Sequence, residues 1–308
     1  MTNSDFKIVV VGMGVQGKKR AKFAFNDLVA KVDVDKNNLD ADYNDLNDIN
    51  KKDYDAVLLC TPDEVKYEIL KTILNSKKHV LVEKPLFVKN KEELLELQNI
   101  ANNNNVVLYT AYNHRFEPHF VNMKNLLLKK GLGNIFRLRI FYGNGTSGLV
   151  KQSEWRDQGS GVILDIGSHL LDTLMFWFGK KKIKITDINK FQFENLSPDH
   201  AIFRGKIDNI FIELEVSLLS WKNDFICDII GDKGSAHISS LCKWGPSIFT
   251  TRKRVLPAGI PDENIITLTQ PDPTWKQEYI YFKKLVKDKK NTDLSSDIEI
   301  FNILKSSM

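Results

Sequence analysis

The first third of the chain alternates short apolar runs with stretches of helical periodicity. Phe6-Lys7-Ile8-Val9-Val10-Val11 comes first and runs straight into Gly12-Met13-Gly14-Val15-Gln16-Gly17. Further runs follow over 28–35, at Ala56-Val57-Leu58-Leu59-Cys60, at His79-Val80-Leu81-Val82 and at Val106-Val107-Leu108-Tyr109. Between them, 18–26 is compatible with a helix, and Thr61-Pro62-Asp63-Glu64 reads as the start of another. Thr61 would be its N-cap, Pro62 its first helical residue and Glu64 the acid three beyond the cap. Asn90 caps a third helix, with Leu94, Leu97 and Ala101 on one face. Buried-strand runs alternating with such helices predict a parallel, doubly wound sheet with right-handed crossovers. Ligands of such a sheet bind beyond the C-terminal ends of its strands.

Near Arg115-Phe116-Glu117-Pro118 the texture changes. A helix over 119–130, a strand over 136–142 and a glycine-rich stretch over 143–148 come next. After a helix over 165–178 the chain turns strand-rich, over 183–193, 201–207, 210–219 and 225–230. Gly-Asp-Lys-Gly at 231–234 reads as a hairpin turn into 235–239. The stretch 251–274 holds four prolines and reads as a long loop, followed by a helix over 275–287. The pattern predicts an α/β protein of two domains. Residues 1–118 form the parallel, doubly wound sheet, and residues 119–308 form a second α/β domain built on a mostly antiparallel sheet.

Composition narrows the setting. The chain has 308 residues and 42% hydrophobic content, enough for two sizeable cores. Its 44 basic and 39 acidic residues are interspersed, which is a solvated surface and no nucleic-acid-binding stripe. Cys60, Cys227 and Cys242 lie far apart and show neither zinc spacing nor a CxxC pair, as in a reduced cytoplasmic protein. The first apolar run is too short for a signal-peptide core, and the apolar stretch from Leu170 to Phe178 is interrupted by Asp172 and too short to span a membrane. The expectation is a soluble cytoplasmic protein without nucleic-acid or membrane partners.

The glycine turn carries the first chemistry. Strand, tight turn and helix in that order aim a helix N-terminus at a pyrophosphate. Gly12 permits the turn, Gly14 lets the backbone approach the phosphates, and Gly17 lets the helix pack on the strand. Met13, Val15 and Gln16 complete the cradle. Asp33, about 20 residues beyond Gly12, stands where an acid holds the adenosine ribose hydroxyls and repels a 2′-phosphate, which favours NAD over NADP. Asp35 is a rival for that role. Thr61, Pro62, Glu83 and Lys84 follow strand runs and so face the same ligand edge.

Two further groups suit proton transfer. Lys84 sits before Pro85, which constrains the local backbone and admits a cis bond. A lysine fixed beside a nicotinamide can move a proton or stabilise a developing alkoxide; the alternative is a solvated surface lysine. Asp165, His169 and Asp172 fall at i, i+4 and i+7, one polar stripe on an oily helix. His169 would act as base and Asp165 would orient it or a substrate hydroxyl, the alternative being a satisfied core histidine. A metal is disfavoured, because a fourth ligand is missing.

Together these segments resemble the glucose–fructose oxidoreductase/inositol dehydrogenase family (Gfo/Idh/MocA). The resemblance rests on Gly12-x-Gly14-x-x-Gly17, Thr61-Pro62, the run from His79 to Glu83-Lys84-Pro85, Tyr112-Asn113-His114-Arg115-Phe116-Glu117-Pro118, Trp155-Arg156, and Gly161, Asp165 and His169. It implies an N-terminal Rossmann domain (1–118) followed by a C-terminal α/β domain (119–308) with a large, mostly antiparallel open sheet for substrate binding and oligomerisation, and hydride transfer between nicotinamide and a hydroxyl carbon of a sugar, sugar acid or nucleotide sugar. By the same resemblance Lys84 and His169 form the catalytic pair, with Asp165 beside them. Tyr112, Arg115, Trp155 and Arg156 join Lys84, Asp165 and His169 in lining the substrate cleft, and the protein is a homo-oligomer, a dimer or tetramer. Lys66 stands where the family often has histidine, and Ser160 interrupts a frequent triple glycine. Two alternatives stay open: a glycosidase or sugar–sugar oxidoreductase that recycles its NAD, and a non-catalytic dinucleotide sensor.

Overall fold

The computed structural model describes residues 6–153, 156–179 and 181–306. The chain divides into two compact units, one made of Met1–Asn113 with Thr274–Asn302 and the other of His114–Pro273 with Ile303–Met308.

The first unit begins β1 (Ile8–Val11), α1 (Val15–Ala24), β2 (Leu28–Val32), β3 (Ala56–Leu59), α2 (Asp63–Asn75), β4 (His79–Glu83), α3 (Lys91–Asn103) and β5 (Leu108–Ala111). Its strands are parallel in the order β2-β1-β3-β4-β5. Every residue of β1 and β3 is buried, because helices cover both faces of the sheet. Val9 and Val11 join one core with Leu70, Ile73, Leu94 and Leu97. Ile8 and Val10 join the opposite core with Tyr279 and Phe282. The chain order reverses between β1 and β3, which makes their C-terminal ends the switch point of the sheet. Asn90 caps α3 as the sequence predicts, its side chain accepting from Glu93 N at 3.0 Å.

The second unit contains α4 (Pro118–Leu128), β6 (Ile135–Gly143), a short α5 (Ser147–Lys151), a π-helical turn (Ile163–Gly167) continuing into α6 (Ser168–Phe178), and then β7 (Ile183–Phe191), β8 (His200–Ile207), β9 (Ile210–Ser217), β10 (Asp224–Gly231), β11 (Gly234–Ser239), β12 (Ser247–Lys253) and β13 (Glu263–Leu268). They form one sheet in the order β13-β12-β11-β10-β6-β9-β8-β7, antiparallel except between β6 and β9. Burial alternates along β8, β9 and β10, so one face is packed and the other lies open. Across the open face the register sets Asp187, Arg204, Glu213, Arg139, Asp228 and His237 opposite one another in turn, a row of alternating acidic and basic side chains over six strands.

Two sequence expectations give way here. The stretch 251–274 is not a loop throughout: β13 pairs with β12 at the sheet edge. Its first five residues are exposed, so it shows no burial alternation to betray it. The last segment returns to the first unit as α7 (Thr274–Lys287) and most of α8 (Ser295–Ser306). Tyr279 and Phe282 of α7 enter one core of that unit, and Leu294 and Phe301 enter the other.

Candidate active site

Gly12 has φ +88, and a Cβ there would meet Cys60 O at 2.7 Å, so only glycine lets the turn pass over the end of β3. A Cβ on Gly17 would meet Gly12 O at 1.9 Å, which fixes how closely α1 leaves the turn. Gly14 differs. No protein atom lies within 4 Å of its would-be Cβ, and no side chain caps α1 there. Gly14, Val15 and Gln16 are exposed, whereas Met13 is buried. The first turn of α1 therefore presents uncapped N–H groups to open space, the arrangement that binds a pyrophosphate.

Asp33 follows β2 and ties this turn together. Its Oδ2 accepts from Met13 N at 2.7 Å and from Asn38 Nδ2 at 3.1 Å, and Oδ1 accepts from Asp35 N at 3.0 Å. A carboxylate has about four acceptor positions, so capacity remains for a ribose hydroxyl. Asp35 is exposed and receives Asn37 N, the arrangement of a local turn.

Thr61 is not the N-cap of α2. That place falls to Pro62, without a side-chain cap, and the helix begins at Asp63. Pro62 itself is extended, with φ −57 and ψ 158, so the first helical residue is Asp63. The Thr61 hydroxyl is buried and has no hydrogen-bond partner among the described residues. Its N lies 3.2 Å from the would-be Cβ of Gly12. An orphaned buried hydroxyl beside the glycine turn and the unfilled space at Gly14 both fit a dinucleotide.

At the end of β4, Lys84 is half-buried and its bond to Pro85 is cis. Lys66 of α2 holds the main chain on both sides of it. Its buried ammonium donates to Glu83 O at 2.8 Å and to Pro85 O at 3.0 Å, with Asp63 Oδ1 at 2.6 Å as counter-ion. The Glu83 carboxylate points elsewhere. Buried Arg20 donates to Glu83 Oε1 at 2.7 Å and to Glu278 Oε2 at 2.6 Å, and its guanidinium lies 4.3 Å from the Trp275 ring. Burial alone would lower the Arg20 pKa; Glu83 and then Glu278 more than reverse this and hold it fully charged. Glu83 thus supports the strand end through an ion pair. Tyr112, just past β5, is 1% exposed, its ring packed inside the protein.

In the second unit, His169 sits in the first turn of α6, 9% exposed. Its ring stacks on that of His114, with centroids 4.1 Å apart and planes at 21°. The π-helical turn interrupts the plain helical stripe expected for Asp165, His169 and Asp172. Asp165 lies within that turn, half-exposed, with Arg156 Nη2 at 4.0 Å. Asp172 is buried and takes both Nε and Nη2 of Arg115, Nε at 2.9 and 3.1 Å. Burial pushes the Asp172 carboxyl up from its ordinary value, and Arg115 pulls it back. Gly161 is required before the turn, since a Cβ there would meet Pro198 O at 2.3 Å. Ser160 is buried beside it, its carbonyl accepting from Ile163 N at 3.0 Å. Trp155 lies outside the described residues.

Sequence reasoning left several groups near these residues unassigned. Lys66 was visible only as a departure from a family pattern, and Arg20 only as one more helix cation. His114 stood only as one member of a family motif and Lys243 carried no local signal, because the fold brings them together over a separation of 129 residues. No group of three or more His, Cys, Asp or Glu side chains able to hold a metal occurs among the described residues. Among the described residues no helix is long and apolar enough to cross a membrane.

A glycine cradle at the switch point of a parallel sheet defines a dinucleotide-binding α/β protein. Residues 6–112 match the Gfo/Idh/MocA oxidoreductase family with its NAD-binding Rossmann fold, and residues 120–237 match that family's C-terminal domain. The chain belongs to the Gfo/Idh/MocA family of NAD-binding oxidoreductases. It is 32% identical over 41% of its length to an uncharacterized oxidoreductase of Schizosaccharomyces pombe, of which that stretch covers 34%. It is 24% identical to the glucose-6-phosphate 3-dehydrogenase of Bacillus subtilis, over 61% of this chain and 60% of that protein. These matches thus span less than two thirds of either relative. In fold, levoglucosan dehydrogenase in complex with NADH superposes with a TM-score of 0.81 at 16% identity, over 97% of this chain and 94% of that one.

Proposed function

We propose that the protein is an NAD-dependent dehydrogenase acting on a secondary hydroxyl of a sugar, sugar acid or nucleotide-linked sugar. The observation that carries the reading is Lys84, whose main chain is held on both sides by Lys66 at the ligand end of the parallel sheet. A surface lysine has no need of a buried second lysine to fix its backbone. Gly12 to Gly17 and Thr61 would hold the pyrophosphate side of the cofactor, and Asp33 the ribose. The Asp33 carboxylate would repel a 2′-phosphate, which favours NAD over NADP. Bound NAD supplies the two-electron acceptor. The His169 imidazole takes up the substrate hydroxyl proton, the Lys84 ammonium stabilises the negative charge that develops on the hydroxyl oxygen, and Asp165 with Arg156 orients the sugar. Arg115 acts through Asp172, keeping α6 in place. The presence of a sugar-phosphate dehydrogenase among the relatives agrees with this class of substrate.

The setting is cytoplasmic, in keeping with three free cysteines. The row of acidic and basic side chains on the open sheet face is self-complementary. Turned end to end against a second copy, it sets Glu213 against Arg139, Arg204 against Asp228 and Asp187 against His237. That favours a homo-oligomer.

Deuterium transfer from carbon-labelled sugars into NAD, read by mass spectrometry, tests the activity. Lys84→Met and His169→Ala should each slow transfer by about 100-fold or more. Near-wild-type rates in both variants would refute the assignment. Transfer without accumulation of NADH would favour an enzyme that recycles its cofactor, and no transfer from any sugar would favour a sensor.

A further inference from the structure

Three cations of the second unit stand near His169, and two of them are matched to acids. Arg115 grips Asp172, and Arg156 faces Asp165. The third, Lys243, makes no ion pair with a carboxylate among the described residues. Its Nζ donates to Tyr142 Oη at 3.1 Å and lies 3.4 Å from His114 Nε2. The ammonium also lies over the rings of Trp244 and Tyr142, at 4.6 and 5.4 Å from their centroids. His114 in turn stacks on His169, so a single imidazole separates this charge from the proposed base.

Two acids face the neighbouring residue, Cys242. Glu117 accepts from Cys242 N at 3.2 Å and from its thiol at 2.9 Å, and Asp272 Oδ1 lies 4.0 Å from the same sulfur. Burial pushes the Glu117 pKa up, and the field of Lys243 pulls only weakly against that. An ammonium has three N–H donors, and its two partners here leave one unused. A half-buried charge without a counter-ion costs free energy, and lysines of purely structural use normally keep the ammonium in water. Aromatic rings soften that cost without removing it.

We propose that Lys243 is an anion-recognition residue of the substrate site, binding a carboxylate or phosphate carried by the same molecule whose hydroxyl meets His169. Arg115 and Arg156, the cations that the family resemblance places in the cleft, already have acids of their own. The proposal rests on the sugar-dehydrogenase reading for the hydroxyl partner, while the anion site itself can be measured without turnover.

The test is lysine footprinting of the full-length, NAD+-loaded protein by reductive dimethylation, with peptide mass spectrometry resolving Lys243. D-glucose, D-gluconate and D-glucose 6-phosphate are compared at equal concentration and constant ionic strength, with sodium chloride as reference. Protection of Lys243 at least several-fold by gluconate or by glucose 6-phosphate, and not by glucose, supports the site and tells a carboxylate from a phosphate. Protection equal in all three, or in none, overturns it. In parallel, Lys243→Gln should abolish the thermal stabilisation given by the protecting anion, and Lys243→Arg should retain it. Stabilisation that survives in Lys243→Gln also overturns the proposal. NADH formation is recorded in the same samples. Protection without NADH from the protecting sugar leaves the anion site standing and counts against the dehydrogenase reading.

Discussion

Replacing Lys66 with methionine removes one ammonium and keeps most of the aliphatic volume. The lysine makes three bonds, at 2.6, 2.8 and 3.0 Å, and its side chain is 3% exposed. Asp63 is 32% exposed and recovers water when the partner leaves, so its bond contributes little to the balance. The bonds to Glu83 O and Pro85 O are buried and charge-assisted, each worth about 1.5–3 kcal/mol. Relief of the buried ammonium offsets part of the loss, and the net cost comes to roughly 3 kcal/mol. For the first unit, which Lys66 belongs to, that lowers the melting temperature by roughly 6–12 °C. The effect on catalysis is separate. Freed at both carbonyls, the Lys84 segment relaxes, and a displacement of about 1 Å costs roughly 100-fold in rate. Scanning calorimetry and single-turnover NADH formation measure the two effects. Unchanged melting together with unchanged turnover would refute the claim that Lys66 holds Lys84, and lost stability with full activity would limit Lys66 to a structural part.

Other substitutions separate fold from function. Gly12→Ala places a Cβ against Cys60 O at a positive φ and should cost more than about 2 kcal/mol in chemical denaturation. Gly14→Ala meets no protein atom, so stability should stay within about 0.5 kcal/mol while NAD+ affinity by calorimetry falls at least tenfold. Equal NAD+ affinity in Gly14→Ala would place the pyrophosphate elsewhere. Arg115→Met leaves the buried Asp172 carboxylate unpaired and should destabilise the second unit by about 3–5 kcal/mol in urea denaturation. Glu117 gives a pH signature. Burial raises its folded pKa above the ordinary 4.5, so the folded form holds its proton longer than the unfolded chain. Its contribution to stability is therefore intact below 4.5 and declines as pH rises through the folded pKa. The melting temperature of Glu117→Gln should gain on that of wild type over this window, and a difference independent of pH would show that Glu117 does not titrate as described.

Where the physics is local, the sequence already carries the answer. The glycine turn, the Asn90 cap and the burial alternation of β8 to β10 each depend on neighbours within a few residues. Thr61 shows how a local rule can miss by one residue, since Pro62 is extended rather than helical, which leaves the hydroxyl to a different use. The edge strand β13 escaped notice because nothing covers most of it. The supports of the site were hidden for another reason: Lys66 acts on carbonyls 17 and 19 residues away, and carbonyl acceptors leave no mark on side-chain identity. The Lys243–His114–His169 line joins three segments that only the second unit's topology brings together.

The return of α7 to the first unit also bears on how the protein is made. Arg20 finds its second carboxylate on Glu278, 258 residues downstream. During synthesis the parallel sheet therefore leaves the ribosome with that cation half-neutralised, and its Ile8–Val10 face lacks Tyr279 and Phe282. The second unit, nearly continuous in sequence, can close before the first is complete. The cofactor cradle, translated well before α7, is therefore completed only when α7 emerges, and until then the apolar face that Tyr279 and Phe282 cover stays open.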